Sequence, residues 1–233
     1  MAPKRLPFKI DGHEVSGGRR KKIEIPIASM MSGAPVSLPI IVWHGKTKGP
    51  TAWISAGVHG DEIEGTEIIR RVANRISAQR MSGTVIAIPV VNVFGFNTGD
   101  RYLPDRRDLN RSFPGSRRGS LASRLSHLLM DKIVTRCDIG IDLHTGSDHR
   151  TNLPQIRADL EDQQTLDLAL AFGAPVALHS RLRDGSLREA ATEAGAKVLL
   201  YEGGEAWRFD EQSIRAGTAG VLRVLAHGGF IEP

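Results

Sequence analysis

Four short apolar runs, at 52–58, 85–91, 139–143 and 197–201, constrain this chain more than any other feature of its sequence. They are nearly unbroken rather than alternating, so neither face of such a strand can be left to water. Between the runs the period changes. Residues 63–77 place Ile63, Ile68, Ile69, Val72 and Ile76 on one helical stripe, and 120–137 does the same with Leu121, Leu125, Leu128, Leu129, Ile133 and Val134. A last helix over about 210–228 carries Val221, Leu222, Val224 and Leu225 and is weakened by Gly217 and Gly220. This alternation predicts an α/β fold: a mixed, largely parallel central sheet with helices on both faces. The first fifty residues read differently. Turn signals at Asp11-Gly12, Gly17-Gly18 and Ser32-Gly33 separate apolar stretches at 22–27 and 38–43, expected as a strand pair preceding the main domain, within about 10–45. At 233 residues the chain is expected to be a single domain over 1–233.

Composition narrows the function. The formal charge of +5 arises in residues 1–22, where Lys4, Arg5, Lys9, Arg19, Arg20, Lys21 and Lys22 face only Asp11 and Glu14; the remainder of the chain is balanced. A short basic lead segment of this kind reads as a solvated stretch, so no nucleic-acid partner is expected. The one cysteine, Cys137, excludes an internal disulfide and sits in an apolar run, which marks it as a core thiol. No secretory apolar stretch opens the chain, and no apolar run approaches the roughly 20 residues that span a bilayer. The expectation is a cytoplasmic protein with no membrane partner.

In open α/β sheets, sites form beyond the carboxyl ends of the strands. Ionisable residues gather there. The first run leads into Gly57-Val58-His59-Gly60-Asp61-Glu62, and the second into Asn92 and the loop ending Arg106-Arg107-Asp108-Leu109-Asn110-Arg111. The third leads into Asp142-Leu143-His144-Thr145, and the last into Tyr201-Glu202-Gly203-Gly204-Glu205. Two imidazoles and a carboxylate suit zinc, and a fourth position left to water makes such a site catalytic. His59, Glu62 and His144 are the candidate ligands, with Gly57 and Gly60 allowing a sharp turn at the strand end. The same spacing also fits a surface His59–Glu62 pair and a satisfied core His144. Asp142 lies on the strand face of His144 and can orient its imidazole, or make turn bonds instead. His13, His44, His127, His149, His179 and His227 lack a partner at ligand spacing. His149 and Arg150 can line the rim, and Arg181 or Arg183 can reach an anionic substrate.

Four ordered segments, Gly49-Pro50-Thr51 through Glu62, Arg101-Tyr102 with Asp108 to Gly115, Asp142 to Thr145, and Tyr201 to Gly204, carry a resemblance to the succinylglutamate desuccinylase/aspartoacylase family. It extends from about residue 10 to the end and implies a zinc carboxypeptidase-like fold. The resemblance implies one zinc ion per chain on His59, Glu62 and His144, and a catalytic carboxylate at Glu202. It implies a carbonyl-polarising arginine at Arg101, with Arg106 as rival, and a carboxylate-binding pair at Asn110 and Arg111. It also implies a small C-terminal β domain, for which this chain has no counterpart beyond Phe230. The implied activity is zinc-dependent hydrolysis of the amide bond of an N-acyl amino acid, an anionic small molecule. Two other readings stand beside it: a metallocarboxypeptidase acting on peptide or polyglutamate tails, and a metal-binding module without catalysis. Two histidines and a carboxylate also suit iron, cobalt or manganese.

Overall fold

The computed structural model describes residues 5–147 and 149–232; Lys4 of the basic lead segment lies outside them. A hairpin of β1 (Phe8–Ile10) and β2 (His13–Val15) turns at Asp11 and Gly12, both at positive φ, as a two-residue turn between strands requires. Eight further strands form one sheet among the described residues: β3 (Arg19–Ser29), β4 (Pro35–His44), β5 (Thr47–Ala56), β6 (Ser82–Ile88), β7 (Ile139–Gly146), β8 (Asn152–Ala158), β9 (Val176–His179) and β10 (Lys197–Glu205). Their spatial order is β3-β4-β6-β5-β7-β10-β8-β9. The central four, β6, β5, β7 and β10, are parallel, while β4 joins β6 and β8 joins β10 antiparallel.

Among the described residues six α-helices cover the sheet: α1 (Glu64–Ala73), α2 (Val93–Thr98), α3 (Leu121–Lys132), α4 (Gln163–Phe172), α5 (Leu187–Glu193) and α6 (Glu211–His227). On one face Ile68, Ile69 and Val72 of α1, Leu168 and Phe172 of α4, and Ile214, Val221 and Val224 of α6 pack on Ile54, Ile141, Leu199 and Tyr201. On the other, Leu125 and Leu129 of α3 and Leu187 and Ala191 of α5 pack on Trp53, Ile86 and Val198. Burial on both faces is why the central strands read as unbroken apolar runs; every residue of β7 is buried. No helix among the described residues is long and apolar enough to cross a membrane. Cys137 is buried, and burial pushes its thiol up to about 12.

Several sequence expectations need correction. The strand pair of the N-terminal region does form, but it does not precede the main domain. β4 pairs Trp43 with Val85 and Val42 with Ile86 of β6, so the pair is the edge of the central sheet. The outer strand β3 exposes Arg19, Arg20, Lys21 and Lys22, charges that blunt an open edge. Arg5 is not solvated: its guanidinium donates to the carbonyls of Gly45, Thr47 and Gly83. The helix at 120–137 stops at Lys132, and 134–136 form a separate 3-10 turn. The last parallel strand runs on to Glu205, so Glu202 lies within β10 and not after it. Region 151–196, which periodicity leaves unassigned, supplies β8, α4, β9 and α5.

Trp53 and Gly140 are register partners on β5 and β7, and the indole occupies the space a side chain at 140 would need. A Cβ there would lie 2.0 Å from the ring. Trp53 is fully buried and cannot swing out, so Gly140→Ala should cost about 1–3 kcal/mol, read as a lowered urea midpoint.

Glu64 opens α1 and is 1% exposed. Its Oε1 accepts from the Asp210 backbone N–H at 3.1 Å, and its Oε2 has no partner among the described residues. Burial pushes its pKa up to about 8 from an ordinary 4.5. Between those values the folded protein keeps a proton that the unfolded chain has lost. Stability should therefore fall as pH rises through this window, by at most about 1.4 kcal/mol per pH unit. Urea midpoints at pH 5 and pH 8 should show this part of the decline in the parent and not in Glu64→Gln.

Candidate metal centre and active site

From β5 the chain turns toward β6, and from β7 it turns toward β8, in opposite directions along the sheet. A crevice opens where such connections diverge, at the carboxyl ends of the two strands. His59 and Glu62 enter it from the turn after β5. Gly57 takes a positive φ there, and Gly60 packs so closely on α2 that a Cβ would lie 2.1 Å from the Gly95 carbonyl carbon. His144 enters from β7, two residues after Asp142 and on the same face as Trp53 and Ser55.

The three side chains meet. His59 Nδ1 lies 2.7 Å from Glu62 Oε1, and His144 Nδ1 lies 2.7 Å from Glu62 Oε2. All three are at least 95% buried, and their ligand atoms lie within 4.8 Å of one another. The far nitrogen of each imidazole is held by a carboxylate: His59 Nε2 by Asp108 at 3.2 Å, His144 Nε2 by Asp142 at 2.8 Å. A carboxylate only accepts, so each Nε2 carries a proton; each Nδ1 faces Glu62 and is the nitrogen a metal would take. Ligating histidines are oriented by such partners. The donor set therefore fits a divalent metal, with Nδ1 of both histidines and the Glu62 carboxylate as its ligands. Asp159, Glu161 and His179 also come within ligand spacing, but they sit largely exposed at the ends of β8 and β9, and His179 Nδ1 accepts from the Leu160 N–H.

Support continues outward. Ser55 Oγ donates to Asp142 Oδ1 at 2.7 Å and accepts from Trp53 Nε1 at 3.3 Å. Arg101 donates to Glu62 Oε1 at 3.3 Å and to Asp108 Oδ2 at 3.1 Å. Burial alone would favour a neutral Glu62, but the flanking imidazoles hold its carboxyl well below the usual range. Burial likewise opposes charge on His59 and His144, and the carboxylates around them win, raising both.

A cleft of about 1020 Å³ lies over this cluster. Glu202 lines it from β10, in register with His144 on one side and Gln155 on the other. Burial raises its pKa, with the Glu62 charge adding to the effect and His144, Arg157 and the Asn152 hydrogen bond opposing it. That bond runs from Asn152 Nδ2 to Glu202 Oε2 at 2.7 Å. Asn110 and Arg111 also line the cleft, from a 3-10 turn rather than a strand end. Asn110 Oδ1 accepts from the Leu187 N–H at 2.9 Å, which ties the turn to the start of α5. The Arg111 guanidinium donates to the Asn110 carbonyl. Of the two rival arginines, Arg101 reaches the cluster and Arg106 is exposed at positive φ outside the cleft lining. Arg150, Arg181 and Arg183 do line the cleft, whereas His149 lies outside its lining, its ring tilted against that of Trp207.

Sequence reasoning assigned no role to Asp108, Ser55, Asn152 or Arg157. Asp108 and Ser55 stood in quoted segments; Asn152 and Arg157 become visible only through strand pairing. Since Asp142 fixes the tautomer of His144, Asp142→Asn should weaken metal binding by about 10–100-fold, measured by competition with a chromophoric chelator. An unchanged affinity would remove Asp142 from the support of the centre.

The family model for the succinylglutamate desuccinylase/aspartoacylase catalytic domain matches residues 48–228. The N-alpha-acetyl-L-2,4-diaminobutyric acid deacetylase of Halomonas elongata is 31% identical over 228 residues, covering 94% of this chain and 66% of that protein. The chain thus spans just under two thirds of that relative's length. A crystal structure of a succinylglutamate desuccinylase/aspartoacylase from Rhodobacter sphaeroides is similar at a TM-score of 0.83 and 33% identity, covering 94% of this chain and 69% of that one. The product-bound ectoine utilization protein EutE (DoeB) from Ruegeria pomeroyi is similar at 0.84 and 26%, covering 99% and 73%. On these matches, and on the site that the matched region contains, the chain belongs to the succinylglutamate desuccinylase/aspartoacylase family.

Proposed function

We propose that this chain is a zinc-dependent hydrolase that cleaves the amide bond of N-acyl amino acids. The observation that carries the reading is one carboxylate with a raised pKa, Glu202, on the strand beside His144, facing the same cleft as the metal-ligand set. The deacetylase name of the Halomonas elongata relative supports the same reaction class.

Zinc held by His59, Glu62 and His144 would supply Lewis acidity, acidifying water and polarising the substrate carbonyl. Glu202 takes a proton from the attacking water and passes it to the leaving amine. Its raised pKa suits both halves of that task, since a proton taken must also be given up near neutral pH. Asn152 holds Oε2, which keeps the side chain aimed while it works. Arg101, already oriented by Glu62 and Asp108, offers positive charge where the carbonyl oxygen becomes negative. Arg111 and Asn110 are the proposed seat of the substrate carboxylate, the guanidinium providing a planar fork of donors. An N-acyl amino acid is a small anion, matching a cleft lined by several arginines.

Metal analysis should find close to one zinc per chain, and chelation should abolish turnover of an N-acetyl amino acid panel. Glu202→Gln should keep its zinc while kcat falls by about 10²–10⁴. Loss of zinc in that variant would make Glu202 a ligand and overturn its assignment as base. Faster turnover of peptides than of N-acetyl amino acids would replace the deacylase reading with a carboxypeptidase. Stoichiometric zinc with no turnover of either would leave a binding module.

A further inference from the structure

Past Glu202 the strand β10 loses its regular pairing on both sides. Glu202 to Glu205 spans His144 to Gly146 on β7, and Glu202 to Gly204 spans Gln155 to Asn152 on β8. The proposed base is therefore the last residue before a break in the ladder. Such breaks bend a strand and re-aim the side chains beside them, so whatever holds the break also sets the direction of Glu202.

A buried carboxyl lies against it. Glu64, the first residue of α1, follows closely on the ligand Glu62 but has no place in the cleft lining. Gly204 stands at positive φ, and a Cβ there would lie 2.0 Å from Glu64 Oε1 and 2.8 Å from Oε2, so the carboxyl is laid on the backbone at the break. Oε1 also accepts from the Asp210 N–H, at the far end of the segment that follows β10. Between these contacts the Ala206 N–H donates to the Gly146 carbonyl and the Trp207 N–H to the Asp61 carbonyl, each at 2.8 Å. The segment is thus fastened to the end of β7, to the ligand turn and, at both its ends, to Glu64.

Packing does not explain a carboxyl in this place. Its Oε2 is shut off from solvent with no hydrogen-bond partner among the described residues, and burying such a group costs free energy that an apolar side chain would avoid. What an apolar side chain lacks is an acceptor for a backbone N–H and a flat group able to lie on Gly204. Because Glu64 begins the helix that the ligand turn runs into, it ties the strand carrying Glu202 to the turn carrying His59 and Glu62. A general base must stand within hydrogen-bond reach of the proton it takes, so its separation from the ligand set has to be fixed.

We infer that Glu64 is a positioning residue: its carboxyl clamps the break in β10 and so fixes Glu202 relative to the metal ligands. The inference rests on Glu202 acting as the base of the deacylase proposed above.

The test compares Glu64→Ala and Glu64→Gln with the parent, each zinc-loaded, on the N-acetyl amino acid that the parent turns over fastest. Glu64→Ala should lower kcat about 10- to 100-fold, the scale of a misplaced catalytic group. Its KM, and its zinc affinity measured by competition with a chromophoric chelator, should stay close to the parent's. Glu64→Gln keeps the acceptor oxygen and the planar shape, and should recover most of the lost kcat. Should Glu64→Ala fail to fold, Gly204→Ala, whose Cβ displaces the carboxyl, is expected to show the same loss of kcat with zinc retained. Unchanged kcat in the variant used, a loss in Glu64→Gln as large as in Glu64→Ala, or loss of zinc would each overturn the inference while leaving the deacylase reading intact. If the parent turns over no N-acetyl amino acid, or Glu202→Gln keeps its kcat, that reading fails instead. Amide exchange at Ala206 and Trp207 then decides on Glu64: faster exchange in Glu64→Ala than in the parent and Glu64→Gln upholds the clamp, and equal exchange in all three sinks it.

Discussion

Charges alternate through the floor of the cleft, from Asp142 to His144, Glu62, His59, Asp108 and Arg101, each hydrogen-bonded to the next. Arg101 also reaches back to Glu62, closing part of the row on itself. No member of this row would be stable alone at such depth. Burial penalises each charge, and only the opposite charge beside it makes burial tolerable. The row couples two segments far apart in sequence, the turn after β5 and the strand β7, so the geometry of the centre and the pairing of the central sheet stand or fall together.

The sheet carries this load because its central strands have no freedom to shift. Both faces of β5 and β7 are covered by helices, and a one-residue slip would turn Asp142 and His144 into the opposite core. Trp53 links packing to chemistry: its ring occupies the space left by Gly140, and its N–H begins the path through Ser55 to Asp142. A packing contact in the core thus reaches the imidazole of His144 through three hydrogen bonds.

Two kinds of arginine serve the cleft. Arg101 and Arg188 are already satisfied by protein acceptors and hold neighbouring groups in place. Arg157, half-buried on β8, has its Nε shut off from solvent without a hydrogen-bond partner among the described residues. Glu202 stands between these influences. Burial and Glu62 raise its pKa, while His144, Arg157 and Asn152 restrain the rise.

Local pattern alone determined a good deal. Unbroken apolar runs announced the buried parallel strands, and Gly57-Val58-His59-Gly60-Asp61-Glu62 announced a tight turn able to present two donors, because strand burial and turn chemistry depend on near neighbours in the chain. Elements whose stability comes from distant partners were illegible. β8 and α5 show weak periodicity: β8 is held by pairing with β10, and the start of α5 by the Leu187 N–H donating to Asn110 Oδ1. For the same reason β4 read as a separate hairpin until its pairing with β6 joined it to the sheet. The sequence reading preferred Arg101 with Arg106 as rival, and tertiary structure brings Arg101, not Arg106, to Glu62 and Asp108. It also turned Asp108 from one residue of a motif into the partner of His59, and brought Asn152 and Arg157 to Glu202 across an antiparallel join. Such assignments depend on which strands become neighbours, and the energy that decides it lies in burial and hydrogen bonding between segments that the sequence keeps far apart.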